Sequence, residues 1–264
     1  MSKIIAIFNM KGGVGKTTTT YNIAHGLVRF YSKKVLVIDI DPQGHSSASL
    51  GIDILNLNSQ LKDVLLRQNS LEDIIVRANF ENHSSKSQPH SYNIDVAPSN
   101  LLLAENEIPI SGLPGRELIL RKAIAKGYLR DKYDFILIDC PPNVGVFSIN
   151  ALMASDEVLV PVDMSYFGLL GITSVEKIFH LVRSELDHSL GMAGILATRF
   201  DIRNNISAEV LQSLKSKFDH LVYKTVIPEN IKIREAPSFA IPVFDRAPKS
   251  HGSQAYSSLV EEIQ

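Results

Sequence analysis

Met10-Lys11-Gly12-Gly13-Val14-Gly15-Lys16-Thr17-Thr18 follows directly on the apolar run Ile4 to Phe8 and opens the stretch Lys16 to Tyr31, whose composition and spacing predict a helix. A strand, a glycine-rich turn and a helix in that order build a phosphate cradle. Glycines let backbone N–H groups close on oxygen atoms, and the helix N-terminus adds a positive partial charge where an anion sits. In this cradle Lys16 reaches the outer phosphates and the Thr17 hydroxyl ligates Mg2+, while Gly12, Gly13, Val14, Gly15 and Thr18 complete the wrap.

Other parts of such a site belong at the ends of neighbouring strands. Val35 to Ile38 runs into Asp39-Ile40-Asp41-Pro42-Gln43-Gly44, and carboxylates two residues apart leave one side of a strand together. One suits a metal-bound water and the other the attacking water, although Asp-Pro and Gln-Gly also make ordinary surface turns. Phe135 to Ile138 delivers Asp139 in the same way, ahead of Cys140-Pro141-Pro142. Asp139 is expected in the metal's hydration shell. Cys140 has no paired base and reads as a small packed residue.

Four more β-branched runs, Ile94 to Ala97, Val158 to Val162, Ala193 to Ala197 and Leu221 to Ile227, join the three already named. Several are nearly continuous in Val, Ile and Leu, as strands covered on both faces are. Between them lie candidate helices at Leu61 to Arg67, Gly115 to Leu129, Val146 to Met153, Ile172 to Leu190, Ser207 to Phe218 and Ser253 to Ile263. This alternation predicts an α/β fold: a mostly parallel twisted sheet, helices on both faces, and a ligand at the carboxyl ends of the strands. One domain, 1–264, is expected, with a flexible insertion at 79–92. There NFENHSSKSQPHSY is polar and aperiodic, and its His83 and His90 lack companion metal ligands.

The standard phosphate-loop pattern has glycine where Met10 stands and does not require Lys11. KGGVGKTT instead resembles the deviant Walker A motif of the ParA/MinD group of P-loop ATPases; Asp39-Ile40-Asp41-Pro42-Gln43-Gly44 is similar to that group's switch I, and Asp139-Cys140-Pro141-Pro142 to its switch II. The resemblance implies ATP and Mg2+ as cofactors, with Thr17, Asp39 and Asp139 at the metal. It implies that Asp41 positions the attacking water, and that Lys11 reaches across an ATP-closed homodimer to the partner's nucleotide.

Leu221 to Ser238, LVYKTVIPENIKIREAPS, is similar to a segment of chromosomal and small plasmid ParA proteins. It implies that Pro228 and Asn230 meet the adenine. It also implies DNA contacts at Arg203 and Arg234, to which Lys215, Lys217 and Lys232 add charge. Glu229 departs from the pattern, standing where many relatives carry arginine. The implied function is a DNA-partitioning ATPase, cytoplasmic and nucleoid-associated. Its ATP-bound dimer holds nonspecific double-stranded DNA, and a ParB-type partner stimulates weak hydrolysis and release. With no helix-turn-helix ahead of Ile4, operator-specific repression is not expected.

Three other readings share the scaffold. An orphan relative would position a protein cargo on the nucleoid. A MinD-like regulator would cycle on membrane, but Tyr256 to Gln264 carries Glu261 and Glu262 and no Lys or Arg, so anionic lipid repels it. A reductase would need bridging cysteines, and an amidoligase would not require Lys11.

Composition bounds these readings. Over 264 residues, 27 Lys and Arg face 28 Asp and Glu, so no global charge draws the chain to nucleic acid. Between Arg199 and Lys249, however, nine basic residues face six acidic ones, a net +3 that leaves −4 for the rest. A modest, salt-sensitive basic surface follows. The single cysteine excludes a disulfide framework or a Cys-rich cluster within one chain. No secretory signal or apolar run of about 18 residues is found, so a cytosolic protein with no membrane partner is expected.

Overall fold

The computed structural model describes residues 2–81 and 91–264. Among them, strands β1 (Lys3–Ile7), β2 (Val35–Asp39), β3 (Val76–Glu81), β4 (Ser91–Ala97), β5 (Phe135–Asp139), β6 (Glu157–Asp163), β7 (Gly191–Phe200) and β8 (Val222–Pro228) form one sheet. Their order is β3-β4-β2-β5-β1-β6-β7-β8, and every neighbouring pair is parallel except β3 with β4. Alternation along each strand feeds two cores. Ile4, Ala6, Leu36, Ile38, Ile136 and Ile138 pack on one face with the helices Ile119–Lys126, Val146–Ala154, Tyr166–His180 and Asn205–Phe218. Ile5, Ile7, Val35, Val37, Phe135 and Leu137 pack on the other with Lys16–Tyr31 and His251–Ile263. Both faces being dry, polar alternation is absent from the central strands.

All seven expected strands are present, and β3 is an addition. It pairs antiparallel with β4, matching Asn79 with Asn93 and Phe80 with Tyr92, so the ends of the segment expected to be a loop at 79–92 are ladder. An edge strand with one solvated face lacks the dense aliphatic run of a central one. Residues 82–90, with His83 and His90, lie outside the described residues. The helix expected at Gly115 to Leu129 is broken: Ile119–Lys126 ends before Tyr128, which takes a left-handed conformation (φ 51°) ahead of Leu129–Lys132. The helix expected from Ile172 starts at Tyr166, where the Ser165 hydroxyl accepts from Gly168 N.

The last helix packs its apolar side against the core. Tyr256, Leu259, Val260 and Ile263 are buried in the core, and a methyl group added at Gly26 would meet Val260 Cγ2 at 2.5 Å. Glu262 accepts from the backbone N–H groups of Lys224 and Thr225 on β8. The helix is therefore tied to the sheet by both its apolar face and a carboxylate. No described helix is long and apolar enough to cross a membrane.

His25 is fully buried on the helix Lys16–Tyr31, its Nδ1 2.8 Å from the Tyr92 hydroxyl. Burial, and then the Arg29 charge, pushes its pKa down to about 3. The folded state thus binds no proton there while the unfolded state binds one below its ordinary pKa of 6.5. This contribution to stability is complete above that value and is lost as pH falls towards 3. Denaturant unfolding at pH 7 and pH 5 should show a loss of about 2 kcal/mol from this residue alone. His25→Asn should flatten the curve by that amount; an unchanged slope would assign the loss elsewhere.

Candidate active site

The chain leaves β1 for β2 on one side and passes from β5 to β6 on the other, so connections diverge at the carboxyl end of β1 and open a crevice. A cavity of about 480 Å³ lies there, lined at one end by Gly12, Gly13, Gly15, Lys16, Thr17 and Thr18. Gly13 (φ 75°) and Gly15 (φ 90°) take left-handed conformations that other residues resist. Gly15 caps the helix without a side-chain bond. A Cβ on Gly15 would meet nothing within 4 Å, and on Gly12 or Gly13 nothing nearer than 4.0 Å. The space above the loop is thus not filled by packing, and it faces the amide end of a helix.

Asp139 is fully buried at the end of β5. It accepts from Thr17 Oγ1 at 2.7 Å and from Thr20 Oγ1 at 3.3 Å. Burial, reinforced by the neighbouring Asp39, raises its pKa well above the carboxylate range. Lys16 is 7% exposed, its Nζ donating to the Lys11 carbonyl at 3.2 Å. Burial lowers its pKa, against the pull of Asp139, Cys140 and Asp41. No group of three or more His, Cys, Asp or Glu able to hold a metal occurs among the described residues. The donor set instead fits a hard cation that takes Thr17 and Asp139 and completes its shell with phosphate and water, as Mg2+ does.

Asp39 is tied to the loop that follows β2. Its Oδ2 accepts from Ser47 N at 2.8 Å and Ser47 Oγ at 2.7 Å, and its Oδ1 from Asp41 N at 3.2 Å. Fully buried, it does not line the cavity. Burial pushes its pKa up to about 7, opposed by the Ser47 bonds. It fastens the loop after β2; Asp139 is equally buried, so of the three residues expected at the metal Thr17 lines the cavity itself while Asp39 and Asp139 lie behind its wall. Asp41 does line the cavity. Its backbone is fixed by Ser99 Oγ donating to its carbonyl at 2.6 Å, and its Oδ1 accepts from Gln43 N at 2.9 Å.

Lys11 points to its own chain. Its Nζ lies 2.8 Å from both carboxylate oxygens of Asp163, at the end of β6, and 3.2 Å from Ser165 Oγ. Cys140 is buried, with Sγ 3.7 Å from the Ile138 carbonyl, as a packed residue should be.

Pro228, the last residue of β8, and Asn230, two residues on, line the same cavity with Ile227, Ile233 and Tyr256. Val14 lies beneath the loop, its carbonyl accepting from Thr198 Oγ1 at 2.8 Å. Arg199 and Tyr256 are cavity residues that the sequence did not single out. The strand-end rule had the means to flag Arg199, at the carboxyl end of β7. Tyr256 is 237 residues from Thr19, whose hydroxyl it meets at 3.3 Å, and only packing of the last helix brings it in.

The basic residues are more compensated than their count suggests. Arg203 pairs with Asp201 at 2.8 Å, Lys217 with Glu176 at 2.9 Å, Lys232 with Glu235 at 2.9 Å and Arg234 with Glu229 at 3.6 Å. Lys215 is exposed on the helix Asn205–Phe218. Exposed pairs of this kind are worth about 0–1 kcal/mol, so phosphate oxygens can compete for the cations.

An AAA domain family model matches residues 2–192. The sporulation initiation inhibitor protein Soj of Bacillus subtilis is 39% identical over 263 residues, spanning 100% of this chain and 98% of Soj. The chromosome partitioning protein ParA of Caulobacter vibrioides is 36% identical over 261 residues, spanning 99% of this chain and 93% of its own. Among solved structures, cobyrinic acid a,c-diamide synthase of Mycobacterium smegmatis with bound ADP and magnesium superposes with a TM-score of 0.80. It is 29% identical and spans 99% of this chain and 93% of that one.

Proposed function

The chain belongs to the ParA/Soj group of P-loop ATPases, and from that premise we propose that it is a DNA-partitioning ATPase. In this reading ATP with Mg2+ closes a homodimer, the dimer holds nonspecific double-stranded DNA, and a ParB-type partner triggers hydrolysis and release in the cytoplasm. One observation carries it. A single cavity joins the glycine cradle and Asp41 to Ile227, Pro228 and Tyr256 and the carboxamide of Asn230, a lining that suits a purine nucleotide with its phosphates at the cradle. Identity to Soj and ParA, at 39% and 36%, exceeds the 29% to the diamide synthase, which favours partition over ligation.

The residues divide the work. Backbone amides from Gly12 to Thr18 and the Lys16 ammonium hold the phosphates and meet the charge that develops on the transferred group. Thr17 and Asp139 would hold Mg2+, whose charge neutralises phosphate oxygens. Asp41 orients the attacking water and takes its proton. Lys11 leaves Asp163 to engage the partner's nucleotide, so turnover depends on dimerisation.

Retention of nonspecific duplex DNA, with ATP and Mg2+, with ADP and with no nucleotide, at two salt concentrations, tests this reading. Retention only with ATP, weakened by salt, is expected. Arg234→Glu should lose DNA while keeping the ATP-dependent dimer. Equal retention by that variant would move the DNA surface elsewhere, and no wild-type retention in any state would overturn the DNA-carrier role.

A further inference from the structure

Glu229 stands between two arginines at the rim of the cavity. Its Oε2 accepts from Arg199 Nε at 3.0 Å, and its Oε1 lies 3.6 Å from Arg234 Nη1. Arg199 also donates through Nη1 to the carbonyl of Gly13, in the phosphate loop, at 3.4 Å. Its backbone is left-handed (φ 54°), a conformation uncommon for an arginine. Arg199, Glu229 and Arg234 line the same cavity as the glycine cradle. A continuous polar chain therefore runs from the phosphate loop through Arg199 and Glu229 to Arg234.

We propose that Glu229 is an acidic bridge that, in the nucleotide-free chain, holds Arg199 at the cavity rim and withholds Arg234 from DNA phosphate, and that a nucleotide polyanion entering the cavity opens it. The part concerning Arg234 rests on the DNA-carrier reading. The electrostatics require no moving domain. Negative charge in the cavity repels the Glu229 carboxylate and competes with it for the Arg199 guanidinium. Both pairs are half-exposed, with side-chain exposures of 52% for Arg199, 31% for Glu229 and 67% for Arg234, so each is weak enough to exchange. Linkage follows: a bridge present only without nucleotide opposes nucleotide binding by the factor with which nucleotide opens it.

Glu229→Gln keeps the shape and removes the charge. Its expected effects are a roughly three- to fivefold gain in duplex DNA affinity without nucleotide, shrinking towards none with ATP and Mg2+, and a similar gain in ATP affinity measured without DNA. Glu261→Gln, which removes an equal charge from an exposed position of the last helix, should reproduce neither. Unchanged ATP affinity in Glu229→Gln would overturn the bridge even if wild-type protein carries DNA. A rise in ATP affinity with no wild-type DNA binding in any state would keep the Arg199 half and remove the DNA reading. A DNA gain equal in all nucleotide states, or matched by Glu261→Gln, would reduce Glu229 to a general charge effect and overturn the switch.

Discussion

Lys16→Ala is expected to lower ATP affinity and turnover by about 100-fold or more, the scale on which single charge-stabilising groups act in closed sites. Lys16 is buried at the mouth of the helix Lys16–Tyr31, and both Asp139 and Asp41 act on its charge. Removing it leaves buried carboxylates facing the phosphates without their internal cation. The fold should survive, because alanine is the best helix former and the ammonium contributes one long bond to the Lys11 carbonyl. Nucleotide titration and phosphate release, with circular dichroism as the control for folding, would check this. Turnover at the wild-type rate would remove the phosphate loop from the active site.

Asp41→Ala separates binding from chemistry. Its side chain accepts one backbone bond, from Gln43 N. The anchors of this loop, Ser99 donating to the Asp41 carbonyl and Ser47 donating to Asp39, do not involve that carboxylate. ATP affinity should therefore stay within a few-fold of wild type. Hydrolysis should fall by about 10²–10⁴-fold, as expected on removing a group that positions and deprotonates water. Under the partition reading the variant stays on DNA after ATP addition, because release requires hydrolysis. Fast single-turnover hydrolysis would take Asp41 out of this role; loss of ATP binding would make it a structural residue.

The phosphate end of the site was legible because its chemistry is local. Backbone amides, a left-handed glycine pair and the Lys16–Thr17 step act within one turn, so Met10 to Thr18 announce the cradle without the rest of the fold. The seven core strands were legible for a related reason: a strand dry on both faces must be aliphatic throughout. β3 was not, since its solvated face admits Arg77 and Asn79, and neither was the break at Tyr128, which depends on one left-handed residue.

What tertiary structure decided were the partners of charged side chains. Sequence placed Asp39 and Asp41 together as a pair, but the fold gives the first the Ser47 amide and hydroxyl as partners and sets the second in the cavity wall. It counted Arg234 and Glu229 as separate charges, and only the meeting of β7 with β8 sets Glu229 between Arg199 and Arg234. Lys11 was marked as unusual by its neighbours in the chain, yet its rest on Asp163 requires β6 to lie beside β1. Motifs specify what one turn of backbone can do, while a carboxylate's role depends on which donors the fold brings within 3 Å of it, for Asp163 a lysine 152 residues away.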